Sequence, residues 1–162
     1  QNLLRTVGRA IDGAAIAGDG TGGQPTGLLH AADVQEQAIG GDYPGAVRAA
    51  LRKVEASGAT PTAWLVGSTA AETLRSTAWL GTGTDAILRN GKIDGGRAII
   101  TDTEPDALAV GPMADLTLLV FGPGLEIAVD PTDDWERGIC AIRCMAHVDV
   151  VVRRAASFCK LV

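Results

Sequence analysis

"AIAGDGTGGQPTGLL", residues 15–29, places five glycines in a short run at the point where a helical pattern stops. Upstream, Leu3, Leu4, Val7, Ile11, Ala14 and Ala15 recur at helical spacing while Arg5, Arg9 and Asp12 occupy the other face, so the spacing predicts a helix ending near Ala17. Gly18 then stands where a left-handed C-cap with positive φ is wanted, and Asp19-Gly20 supplies a tight turn. Glycines beside a helix suggest a phosphate cradle, and chain order decides the matter. A P-loop needs a Lys after its last glycine to reach the terminal phosphates, and residues 1–52 contain no Lys. A dinucleotide fingerprint needs a strand before the glycines and a helix opening after them, because the pyrophosphate rests on the positive helix N-terminus. Here the helix comes first and presents its negative end. Nucleotide binding is therefore not expected.

The chain has 162 residues, a net charge of -5 and 46% hydrophobic residues, enough for a soluble globular protein of one domain or two small ones. Aromatic residues make up only 4% and Gly reaches 21 residues, so the core must rest on Val, Ile, Leu and Ala with close backbone packing. No apolar run approaches the roughly 18 residues of a membrane span, and no charged, then apolar leader opens the chain, so no membrane partner is expected. Three cysteines form no closed disulfide framework, which points to a reducing intracellular compartment. The acidic balance argues against a general grip on nucleic acid, which depends on Lys and Arg neutralising phosphates. Any nucleic acid would be contained and not clasped. The chain opens at Gln1, without Met and already inside a helical pattern, which predicts a fragment or processed product.

After a polar loop reaching about Gly41, Pro44 lies in the first turn of a second helix, with Val47, Ala50, Leu51 and Val54 on its apolar face and Gly58 to end it. "TAWLVG", residues 62–67, is a buried strand, followed by a helix from an N-cap at Ser68 to about Ser76. Trp79 to Gly96 is rich in Gly, Thr and Asn and is expected to be an extended loop. "RAIIT", "ALAVG", "LTLLVFG" and "LEIAVD" are short β-prone runs separated by turn residues. In the last of them Leu125, Ile127 and Val129 alternate with Glu126, Ala128 and Asp130. The longest strand is expected from about Gly138 to Arg153, with Cys140, Ile142, Cys144, Ala146, Val148, Val150 and Val152 on one face and Arg143, His147, Asp149 and Arg153 on the other. At about 3.3 Å per residue such a strand spans roughly 50 Å, more than a small domain is thick, so it belongs to an elongated molecule or crosses between subdomains.

Candidate chemistry is sparse. Asp19, Asp130, Asp133 and Asp134 lack the ligand alternation of a calcium loop and read as turn aspartates. Cys140 and Cys144 share a strand face but lie roughly 13 Å apart, too far to pair or to ligate one metal. His30 and His147 are the only histidines; His147, beside Arg143 and Asp149, reads as part of a solvated or interface ion-pair row, and no nucleophile elbow occurs. No catalytic residue, cofactor or metal is expected.

The order of segments carries more than any one motif. A helix ending in "RAIDGAAIAGDGTGGQPTGLL" resembles the major capsid proteins of tailed phages with the Hong Kong 97 fold, whose spine helix runs into a Gly-Asp/Asn-Gly-Thr-Gly turn. The matching residues are Gly18, Asp19, Gly20, Thr21, Gly22, Pro25 and Gly27, with one extra glycine at Gly23. "PTAWLVGSTAAETLR", "GRAIITDTEPD", "ALAVGPMADLTLLVFGPGLEIAVDP" and "GICAIRCMAHVDVVVRRAASFCKLV" follow in the family's order, so the likeness covers essentially the whole chain. It implies an α+β fold with a peripheral subdomain of spine helix and long strands (1–27 and 118–153) and a mixed α/β axial subdomain (28–117 and 154–162). It implies a non-enzymatic virion subunit that joins identical copies into pentamers, hexamers and a shell around double-stranded DNA held without specific binding. By this likeness the chain lacks the family's N-terminal arm, extended loop and first half of the spine helix. Some members form Lys–Asn crosslinks between subunits; where the Asn would fall this chain has "DPTDDWERG", with Asp134 and no Asn. Encapsulin nanocompartments, which share the architecture, are the alternative, and a small α/β ligand-binding domain or enzyme using the Gly-rich loop is the alternative of another class.

Overall fold

The computed structural model describes residues 2–81, 83–134 and 139–162. Its elements in chain order are α1 (Asn2–Ala17), β1 (Gln35–Gln37), α2 (Tyr43–Ala56), β2 (Ala63–Gly67), α3 (Ser68–Ser76), β3 (Leu88–Arg89), β4 (Lys92–Ile93), β5 (Gly96–Thr101), β6 (Leu108–Gly111), β7 (Leu116–Asp134), β8 (Ile139–Val152) and β9 (Cys159–Leu161). They form a mixed seven-stranded sheet in the order β1-β9-β6-β2-β5-β4-β3 and a separate two-stranded ribbon of β7 and β8.

The sheet is built on β2, whose five residues are all buried. Alternation along it supplies two cores. Trp64 and Val66, with Leu108, Val110, Cys159 and Leu161 of the neighbouring strands, pack on α2 and α3 through Val47, Ala50, Val54, Ala71 and Leu74. Leu65 and Ala109 face the other way, with Phe158, onto Ile16 at the end of α1 and Leu28 beyond it. As the composition requires, most of this core is aliphatic.

Helix α2 starts where expected, with Pro44 in its first turn, but its cap is Asp42, whose carboxylate accepts the Gly45 N–H at 3.0 Å. Gly58, at φ +78°, ends it. Ser68 is not an N-cap. It is the first residue of α3; Gly67 occupies the cap position, and the first-turn N–H groups of Thr69 and Ala70 donate to the Pro105 carbonyl at 2.9 and 3.1 Å. A distant backbone carbonyl does the work assigned to a local hydroxyl.

The stretch from Trp79 to Gly96 is not one loop. β3 and β4 pair across Asn90-Gly91, both at positive φ (53° and 70°), a two-residue hairpin turn of the kind Asn-Gly favours. β1 lies inside the polar segment before Gly41 and pairs in parallel with β9. Its sequence, Gln-Glu-Gln, carries no apolar alternation to announce it.

"LTLLVFG" and "LEIAVD" are one strand, β7. Phe121 lies opposite His147 and Leu125 opposite Ala146, so Gly122, Pro123 and Gly124 are looped out of the ladder. Gly122 and Gly124 adopt φ of +69° and +83°. Three looped-out residues switch the sequence parity of β7: Leu116, Leu118 and Val120 before the bulge, and Leu125, Ile127 and Val129 after it, all share a face with the even-numbered residues of β8. In the expected long strand, Gly138 lies outside the described residues, as do Trp135, Glu136 and Arg137 of the "DPTDDWERG" segment.

Candidate functional site

The loop after α1 is a closure of the helix end. Gly18 does not adopt positive φ. It is buried, its N–H donates to the Ala14 carbonyl at 3.1 Å, and a Cβ there would overlap the Pro25 carbonyl and approach the Ala14 oxygen to 2.5 Å. The glycine is required by close backbone approach, while the left-handed turns fall to Gly20 (74°), Gly22 (60°) and Gly23 (85°). Asp19 accepts both the N–H (2.9 Å) and the hydroxyl (2.8 Å) of Thr21, which hold its carboxyl below the usual aspartate range. The returning loop then caps the helix: the N–H groups of Gly27, Leu28 and Leu29 donate to the carbonyls of Gly18, Ala15 and Ile16 at 2.8 to 2.9 Å. Gly27 lies against Gly18 and Ile16 so closely that a Cβ would reach the Gly18 nitrogen at 2.7 Å.

Of the seven residues singled out in this turn, the fold brings Gly18, Pro25 and Gly27 together at the helix end and pairs Asp19 with Thr21. A Cβ on Gly20 would meet the Thr26 hydroxyl, and Gly22 stands in open space. The helix-end carbonyls of Ala14, Ala15 and Ile16 are taken by the chain's own amides.

The ribbon is the second feature. One face carries Leu116, Leu118, Val120, Leu125, Ile127 and Val129 from β7 and Ile142, Cys144, Ala146, Val148, Val150 and Val152 from β8, all apolar. Helix α1 packs along β8, with Val7, Ala10 and Ile11 near Cys144, Ala146 and Val148. It leaves the β7 half and the start of β8 bare: Val120 is 57% exposed, Ile127 56% and Val129 58% on β7, and Ile142 54% on β8. The N-terminal turns of α1 also expose Leu3 and Leu4. Exposed apolar strips of this kind mark interaction surfaces.

The opposite face is mixed, with Arg143, His147 and Asp149 of β8; His147 is exposed across from Phe121. Cys144 and Cys159 are free thiols, and burial pushes that of Cys159 up. The side chain of Cys140 lies outside those described. Among the described residues no three His, Cys, Asp or Glu side chains gather as for a metal ion. Sequence reasoning missed the continuity of the apolar face, because the signal, Leu-x-Leu-x-Val before the bulge and Leu-x-Ile-x-Val after it, changes parity at Gly-Pro-Gly.

The family model described as the Phage capsid family matches residues 1–162. Comparison with curated proteins gives no match. Among solved structures, the chain is similar to the capsid of a native GTA particle, with a TM-score of 0.73 and 21% identity over 99% of this chain and 62% of that one. It is also similar to a chain of Mycobacterium phage Ogopogo (TM-score 0.68, 18% identity, 95% of this chain and 63% of that one). A virus-like particle from Pyrococcus furiosus gives a TM-score of 0.57 at 12% identity, over 83% of this chain and 57% of that one. The chain thus spans about three fifths of the length of these structures, 62%, 63% and 57% respectively. Their identities speak to the fold alone, and they bear out the α+β, Hong Kong 97-like architecture that the order of segments implied. With that fold, a helix closed off by its own Gly-rich loop, and a family model matched along all 162 residues, the chain belongs to the Phage capsid family.

Proposed function

We propose that the chain forms part of the structural subunit of an icosahedral phage capsid, a shell of identical copies enclosing double-stranded DNA. The observation that carries this reading is the half-covered apolar face of the ribbon, with Val120, Ile127, Val129 and Ile142 bare. Such a face costs solubility in an isolated molecule and is explained by burial between subunits, each fully covered side chain contributing roughly 1.5–3 kcal/mol. Residues 1–27 and 118–153 act as the peripheral subdomain and 28–117 with 154–162 as the axial one, whose loops meet their copies around a capsomer centre. The net charge of -5 suits a wall that holds DNA without binding it. The subunit works through its edges, with no catalytic step, cofactor or metal.

Sedimentation of the full-length protein, at the length of its longer structural relatives, tests the reading. Pentamers, hexamers or shells are expected; a full-length protein that stays strictly monomeric at high concentration overturns it. A second reading is a protein-filled nanocompartment shell, since the fold also occurs in a virus-like particle from Pyrococcus furiosus. The content of purified shells, DNA or protein, separates the two. The third possibility, a ligand site in the Gly-rich loop, predicts thermal stabilisation by nucleotides, and the negative C-terminal end of α1 beside that loop speaks against it.

A further inference from the structure

The ribbon is spliced into the seven-stranded sheet between β6 and β9, which are hydrogen-bonded neighbours. The chain leaves β6 through a 3-10 turn at Met113–Asp115 and reaches β9 through another at Ala155–Ser157. Both crossings are tied to one residue. The Asp115 N–H donates to the Pro112 carbonyl at 2.8 Å, and its own carbonyl accepts the Arg153 N–H at 2.9 Å. Its Oδ2 receives both Nε and Nη2 of Arg154, each at 2.8 Å. Among the described residues Asp115 is the one buried charged residue, its side chain 13% exposed, whereas the Arg154 side chain is 61% exposed.

A buried carboxylate is an expensive way to obtain cohesion, since an apolar side chain of similar size holds two segments together at less desolvation cost. What a guanidinium fork adds is direction, because two N–H vectors on one plane restrict orientation as well as distance. Direction matters here because the other contacts that anchor the ribbon are mainly apolar and non-directional. Leu116 and Val152 at its base reach the small core of Ile16, Leu28 and Phe158, and α1 lies along β8.

We propose that Asp115 and Arg154 are positioning residues, forming a clasp at the root of the ribbon that sets the angle at which its apolar face projects from the seven-stranded sheet. The angle would determine how the faces of neighbouring copies meet, a consequence that rests on the capsid reading, whereas the clasp itself does not.

The test uses the full-length protein with Arg154→Ala and the double variant Asp115→Asn/Arg154→Ala, read by thermal unfolding and amide hydrogen exchange. In Arg154→Ala, exchange at the ribbon root (residues 116–120 and 148–152) is expected to rise about tenfold while β2 and β6 change less than about twofold. The double variant, which removes the unpaired carboxylate, regains the wild-type unfolding temperature yet keeps the fast root. Root exchange at the wild-type rate, a rise shared equally by β2 and β6, or recovery of root protection in the double variant each overturns the clasp. For assembly, the share of double variant found in closed shells is expected to fall about tenfold relative to wild type. Shells formed at wild-type yield despite a loose root overturn the role of the angle. A wild-type protein forming no shells defeats the capsid reading and leaves the exchange contrast to judge the clasp.

Discussion

Gly18 shows how a residue can be right for a reason other than its conformation. Its place after α1 suggested a left-handed cap, yet its backbone is not left-handed; the space for a Cβ is filled by the carbonyls of Pro25 and Ala14. Gly18→Ala is therefore expected to destabilise the fold by about 1–3 kcal/mol through forced backbone displacement. Gly22→Ala, at φ +60° in open space, should cost only about 1–2 kcal/mol from the left-handed conformation. Urea unfolding midpoints of the two variants give the comparison, and a Gly22→Ala loss exceeding that of Gly18→Ala contradicts the close-approach argument. Asp19 offers a pH test of the same loop. The amide and hydroxyl of Thr21 favour its charged form in the folded state, lowering its carboxyl below the ordinary value of 3.8. Its contribution to stability is therefore present in full above that value and is lost as pH falls through the lowered one. The stability gap between wild type and Asp19→Ala should close on acidification, and a gap that widens in acid would reverse the sign.

At the scale of elements, the bulge in β7 is the feature with the clearest consequence. Phe121 and Leu125 face consecutive residues of β8, His147 and Ala146, so removing Gly122, Pro123 and Gly124 leaves the ladder continuous and every apolar side chain on its face. The three-residue deletion is expected to preserve folding, changing stability by no more than about 1 kcal/mol, with ribbon amides protected from exchange at least as well as in the wild type. A ribbon that loses protection on deletion would show that the bulge itself holds the strands. The helices were legible from sequence because their apolar faces repeat at helical spacing: Val47, Ala50 and Val54 are buried as read. β1, β3 and β4 were not, being two or three residues long, too short for an alternation to appear. The cap of α3 was misassigned for a related reason: the Pro105 carbonyl that accepts from Thr69 and Ala70 comes from a segment far along the chain.

For the whole molecule, the bare face of the ribbon separates stability from assembly. Ile127 is 56% exposed and makes no core, so Ile127→Lys should leave the stability of the isolated chain within about 0.5 kcal/mol. In the full-length protein the same change places a charge in an apolar contact and should abolish sedimentation as capsomers or shells. Normal assembly of Ile127→Lys would remove this face from the contact. The family could be read from the chain because its signature is an order of local signals, namely a helix, its Gly-rich exit, a buried strand and a closing run of alternating apolar residues. Each is dictated by neighbours a few positions apart. The apolar strip and the Asp115–Arg154 clasp could not be read in that way. The strip requires the parity switch at Gly122–Gly124 and the pairing of β7 with β8, and the clasp joins residues 39 positions apart. By itself the sequence determined the helices and the longer apolar strand runs, and where α1 must end, since periodicity and backbone freedom are local. Only the tertiary structure decided why Gly18 must be glycine and which apolar residues remain uncovered, because close approach and burial are set by segments distant in the chain.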